Sequence, residues 1–260
     1  WSNIMQSGDG VAADITQSGD LNRSEVLQSG DGADAKLNQS GIFNNSQIEQ
    51  NADSFADVMQ GGAYGDNNSQ ITQNANSASA TVNQSADSTF PTYFPTNDSV
   101  ILQNADATAD VTQAGKQNYS TITQNIGATG STATVNQTND FGDGFEDINT
   151  SEIIQSGFAV SAEVSQDGTD LRSKVTQTGA FNNAEVTQTG SDNESTISQS
   201  ATALSNAFVN QSGTGNASTI TQLPIGGHQA NVRQGGNSNE SIILQSGLAN
   251  ETGTETESGV

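Results

Sequence analysis

Residues 22–39 read NRSEVLQSGDGADAKLNQ, and these positions decide the fold. Two alternating segments, N-x-S-x-V-x-Q from Asn22 to Gln28 and A-x-A-x-L-x-Q from Ala33 to Gln39, flank the turn Ser29-Gly30-Asp31-Gly32. Alternation at period two predicts a β-strand with one buried face. Asn22, Ser24, Val26 and Gln28 then point inward, and Arg23, Glu25 and Leu27 outward. In the second segment Ala33, Ala35, Leu37 and Gln39 point inward, and Asp34, Lys36 and Asn38 outward. Glycine supplies the positive φ that a four-residue reversal needs. A helix does not fit, because apolar residues recur at spacings of two and eleven and β-branched side chains dominate.

The unit recurs along the chain. A Gln stands two residues after Ile, Val or Leu at Gln6, Gln17, Gln28, Gln39, Gln50, Gln60, Gln73, Gln84, Gln103, Gln113 and Gln124. It does so again at Gln137, Gln155, Gln166, Gln177, Gln188, Gln199, Gln211, Gln222, Gln234 and Gln245. Twelve of the twenty intervals are eleven residues, which marks a structural period rather than a composition. Four residues before each Gln, Ser and Ala alternate without a miss: Ser2, Ala13, Ser24, Ala35 and so on to Ser241. The true repeat is therefore about 22 residues, an S-half and an A-half. Asn precedes the Ser by two at Asn22, Asn44, Asn67, Asn97, Asn118, Asn149, Asn193, Asn216 and Asn239, with Leu171 as the break.

Seven strand residues span about 23 Å, and parallel rungs stack at about 4.8 Å. The predicted fold is an all-β parallel β-solenoid of two facing sheets, with about 11 rungs in a column on the order of 50 Å long. Residues 1–245 form this single solenoid. Residues 246–260 read as a degenerate last half-rung or an acidic tail, with Thr252, Thr254 and Thr256 at the Ala, Val and Gln positions. Two inserts, 85–96 and 138–148, carry Phe90, Tyr93, Phe94, Phe141 and Phe145. Each is expected to fold back over the outward apolar residues of the next rung, Val100 and Leu102 in one case and Ile154 in the other.

Composition alone points elsewhere. Fewer than a fifth of the residues are Leu, Ile, Val or Phe, and the net charge is -23, a combination typical of disorder. The repeat overrides it, since a thin apolar stripe can be buried rung after rung. Six basic residues against 29 acidic ones argue against nucleic acid and against an anionic membrane surface. No apolar run reaches membrane-spanning length, so no membrane insertion is expected. The chain has no cysteine and opens on Trp1, which reads as a processed protein destined for the cell exterior.

The recurring N-x-[SA]-x-[IV]-x-Q-x-G resembles the curlin repeat of curli fibre subunits, the functional amyloid of bacterial biofilms. The likeness runs from Ser2 to about Gln245, and only Asn182 gives an A-half its leading Asn. The resemblance implies a secreted, non-enzymatic structural protein without cofactors, located in extracellular cell-surface fibres. Its implied partners are other copies of itself, a minor nucleating subunit and an outer-membrane secretion channel.

The residues assign the following roles. Inward Gln and Asn stacked at about 4.8 Å can each donate to one neighbour and accept from the other, forming structural ladders. Ser2, Ile4 and Gln6 at one end, and Ser241, Ile243 and Gln245 at the other, form the expected subunit junction. Asp140, Asp143, Glu146 and Asp147 are weak candidates for Ca²⁺, but their spacing matches no EF-hand loop. The inward Asn sequons are expected to be hidden from glycosylation, whereas Asn38, Asn83, Asn136 and Asn210 point outward. The only histidine, His228, is expected to serve as a capping or arc residue. No catalytic motif appears. Outward pairs Thr121/Thr123 and Thr219/Thr221 raise an ice-binding face, interrupted by Glu25, Glu49, Lys174 and Leu244. A monomeric adhesin or binding module with protected ends is the main alternative to a fibre subunit.

Overall fold

The computed structural model describes residues 1–62, 66–86, 95–139, 147–200, 204–224, 226–247 and 251–258. The first strands are β1 (Ser2–Gln6), β2 (Ala12–Gln17), β3 (Arg23–Gln28), β4 (Asp34–Gln39), β5 (Asn45–Gln50) and β6 (Phe55–Gly61). Then come β7 (Asp66–Gln73), β8 (Ser79–Ser85), β9 (Pro95–Gln103), β10 (Ala107–Gly115), β11 (Asn118–Gln124) and β12 (Ser131–Asn139). They are followed by β13 (Asn149–Gln155), β14 (Ser161–Thr169), β15 (Arg172–Gln177), β16 (Asn183–Ser191), β17 (Glu194–Gln199) and β18 (Asn206–Thr214). The last are β19 (Ala217–Gln222), β20 (Gln229–Gly236), β21 (Glu240–Gln245) and β22 (Glu251–Ser258).

Odd strands form one 11-stranded sheet in chain order and even strands form a second, all pairs parallel. This is the β-solenoid that the spacing predicts, with each rung contributing one strand to each sheet. Register follows the repeat: Ser24, Val26 and Gln28 lie over Ser46, Ile48 and Gln50. The pairing slips only between Asp66 and Asn67, where β9 enters after the first insert. The core is a dry strip of Ile, Val, Leu and Ala shared by the two sheets, from Val26 to Ile243. It is one side chain thick per sheet, so the interior is closed by repetition rather than by bulk.

The arcs owe their geometry to the short rung spacing. Gly168, Gly190 and Gly213 stack, and a Cβ on Gly190 would meet the Gly213 carbonyl oxygen at 2.2 Å. Glycine supplies positive φ in the arcs, as at Gly10 and Gly32, but not alone. Leu21, Phe43, Phe181, Asp170 and Asp192 also occupy the left-handed region. Leu21, Phe43 and Phe181 stand immediately before a leading inward position, and the side chain is carried out to solvent.

The aromatic residues of the two inserts, and with them the expected folding back, lie outside the described residues. Val100, Leu102 and Ile154 are half-buried, whereas Ile242 and Leu244 are exposed. β22 pairs with β20, placing Thr252, Thr254 and Thr256 beside Ala230, Val232 and Gln234.

Candidate functional site

The feature that spans the molecule is its amide rows. In the first sheet every Gln from Gln6 to Gln222 donates an Nε2 hydrogen to Oε1 of the next, ending on Gln245, at 2.7–3.0 Å. In the second sheet the row from Gln17 to Gln234 is equally unbroken, at 2.6–2.9 Å. Nε2 also reaches across the core to a backbone carbonyl of the facing sheet. Gln28 donates to Ala12 O at 2.7 Å, Gln39 to Arg23 O at 2.9 Å and Gln50 to Asp34 O at 3.0 Å. One side chain thus ties successive rungs and opposite sheets together. A buried amide is tolerable only when so satisfied.

The Asn rows run the other way. Asn44, Asn67, Asn97, Asn118 and Asn149 each donate Nδ2 to Oδ1 of the preceding member, at 2.9–3.2 Å. Leu171 ends that run; it is fully buried, and its backbone N–H donates to Asn149 Oδ1 at 3.1 Å. The row restarts with Asn216 on Asn193 and Asn239 on Asn216. Asn22 and Asn44 also donate to the carbonyls of Ser18 and Ser40, closing the arcs. Burial of this row leaves its sequons inaccessible, while Asn38, Asn83 and Asn210 are exposed.

The Ser row behaves differently, which alternation in the sequence does not reveal. Ser69 donates to Ser46 at 3.1 Å, but Oγ of Ser99, Ser151, Ser173, Ser195 and Ser218 is buried without a partner. A short side chain cannot bridge a rung step of about 4.8 Å as readily as an amide can. Ser24 and Ser120 accept from Gln17 and Gln113 of the facing sheet, so hydrogen bonding is used at some rungs, whereas small size is common to all.

His228 takes the leading inward position just before β20, in the arc, as the sequence suggests. Its side chain is buried, with Nε2 3.2 Å from Leu223 O, and its backbone N–H donates to Ser205 Oγ. Among the described residues no Asp, Glu, Lys or Arg is buried in the core. Lys174 pairs with Glu152 at 2.7 Å; Arg172 and Glu194 are register neighbours that do not close into an ion pair. Glu163 lies beside Glu185. Burial raises the Asp98 carboxyl above the usual aspartate range, against the opposing hydrogen bond from Asn68. Burial likewise raises Asp66, and also Asp170, where Asp192 and Asp147 add to it.

Of the metal candidates, Asp140, Asp143 and Glu146 lie outside the described residues; the Asp147 carbonyl accepts from Asn139 Nδ2. Among the described residues no three acidic or histidine side chains gather as a metal site would require. On the outer face Thr121 lies between Val100 and Glu152, so its threonines form no continuous column.

The two ends complete the site. Within a pair, inward residues bond to the preceding rung, as Ser24 N does to Trp1 O; outward residues bond to the following one, as Arg23 N does to Asn44 O. β1 and β2 therefore direct the backbone groups of Ser2, Ile4 and Gln6, and of Ala13, Ile15 and Gln17, away from the column. At the far end stand β21, carrying Ser241, Ile243 and Gln245, and β22. Ile4 is 44% exposed, although every Ile of its row from Ile48 to Ile243 is buried. Trp1, capped by the Arg23 guanidinium at 5.1 Å, and Met5 are exposed on the same rung.

The family model described as the curlin associated repeat matches residues 12–41 and 174–200. No curated protein matches the chain. Fold and repeat define the class as a two-sheet β-solenoid with stacked amide rows. Two segments of the chain are thus similar to the curlin associated repeat, which is associated with extracellular curli fibres, and the same spacing runs on through the other rungs.

Proposed function

We propose that the protein is a secreted structural subunit that stacks end to end into curli-like amyloid fibres of an extracellular matrix. The observation that carries this reading is the pair of end rungs. β1 and β21 have the register, inward residues and backbone directions of the internal strands of their sheet. Unpaired strand edges are templates for another chain. β21 of one copy seated on β1 of the next would lay Ser241, Ile243 and Gln245 over Ser2, Ile4 and Gln6. A head-to-tail contact of this kind does not close and so propagates. A minor nucleating subunit and a secretion channel are the partners such a fibre would use before and during growth.

Electron microscopy of the purified protein after incubation tests the proposal. Filaments giving reflections near 4.8 Å along the axis and about 10 Å across it are expected. Sedimentation as a monomer at every protein and salt concentration would leave only the monomeric adhesin. Because net charge is -23, and the Debye length is about 8 Å at physiological salt, growth should be slower at low ionic strength.

A further inference from the structure

Arcs that lead from the first sheet to the second all lie along one edge of the column. In the first five rungs this edge is polar, with exposed Asp9, Asp31, Asp53, Asn76 and Asp106. In the next five it is apolar. Ile126 is 83% exposed, Phe158 51%, Phe181 50%, Leu204 72% and Leu223 36%, one in each successive rung. Phe158 and Phe181 meet edge to face with centroids 5.6 Å apart, and Leu204 takes the next rung's counterpart of the Phe181 position. Phe181 also holds a φ of 58°, a backbone conformation costly for a bulky residue, with its ring still in solvent.

From this division we infer that the apolar half-edge is a lateral contact surface for the same half-edge of a second copy. The inference rests on the fibre reading above, because size decides when the surface acts. The five side chains expose on the order of 500 Å² of apolar surface, whereas a stable one-to-one complex needs about 800 Å² on each partner. A single pair of ridges is therefore too small to hold two free copies. Stacked copies repeat the ridge roughly every 50 Å along a filament, and weak contacts in a fixed series add into a firm one. The carboxylates of the other half-edge repel their own kind, so apolar ridge meets apolar ridge and columns pair side by side at intervals.

A chain without cysteine gives a direct test. Leu204→Cys introduces a single thiol on the ridge and Asp31→Cys one on the acidic stretch. Copies within one column place this thiol roughly 50 Å apart, far beyond the reach of a disulfide, so any covalent dimer must join columns laterally. Mild oxidation of the assembled protein should give dimers for Leu204→Cys and not for Asp31→Cys. Equal dimer yields from the two, or none from Leu204→Cys, overturn the inference. Electron microscopy of the same samples separates the two proposals. Dimers without filaments remove the fibre, and with it the series of contacts on which the ridge depends, while filaments without ridge dimers keep the fibre and overturn the ridge. As a second measurement, Phe158→Ser/Phe181→Asn/Leu204→Ser should still form filaments, each of single-column width. Bundles like those of the parent protein would count against the ridge.

Discussion

The glutamine amide does three things at once at each rung: it accepts from above, donates below and bonds the facing sheet. Gln103→Ala removes the acceptor used by Gln73, the donor received by Gln124 and the bond to Ser79 O. It should destabilise the protein by about 1–3 kcal/mol, read from urea denaturation. The Ser row reverses the sign. Ser195 buries a hydroxyl with no partner, so Ser195→Ala should be neutral or stabilise by up to about 1 kcal/mol. A clear loss of stability would mean that the hydroxyl bonds after all. Acid behaves unusually for the same reason of burial. Asp66, Asp98 and Asp170 have raised folded-state values, so the folded chain takes up protons more readily than the unfolded one. Their contribution to stability is therefore greatest in acid and is lost as pH rises through those values. The urea midpoint should rise as pH falls from neutral toward the usual aspartate range, and Asp98→Asn should flatten the change. A midpoint that falls on acidification contradicts this.

Strands and arcs differ in how far the sequence discloses them. Period-two alternation with Gln at each strand end gave the inward and outward faces of β3 and β4, because burial and pleat both have period two. Equal spacing then placed like residues over like. What the pattern leaves open is anything that depends on the axial step at an arc. Which residues besides glycine turn left-handed and which Ser hydroxyls find a partner both depend on side-chain reach between rungs. The directions of the amide rows were equally illegible, since Gln and Asn read alike as stacked amides. Arc glycines fall into two kinds by the same logic. Gly10 has positive φ but open space around it, so Gly10→Ala should cost about 1–2 kcal/mol from the backbone alone. Gly190→Ala adds a collision with the Gly213 carbonyl and should cost distinctly more. Equal thermal shifts for the two would remove axial crowding as the reason for the glycine columns.

At the scale of the whole molecule, each rung touches only its neighbours, and stability is a sum over steps. Acidic columns such as Glu163 over Glu185 oppose that sum along the outside. Salt should therefore raise both the stability of one column and the rate at which columns join. A growth rate independent of ionic strength would separate assembly from charge and weaken the end-rung account. The Gln rows, long and uninterrupted, orient their amides toward the C-terminal end; the Asn rows, shorter and broken at Leu171, oppose them. The opposing bond dipoles do not cancel, which leaves the column with a permanent electric moment along its axis. Two copies meeting nose to nose would set glutamine oxygen against glutamine oxygen. An assembly built from this unit thus behaves like a one-way street, with two chemically distinct tips and a preferred alignment in an applied field.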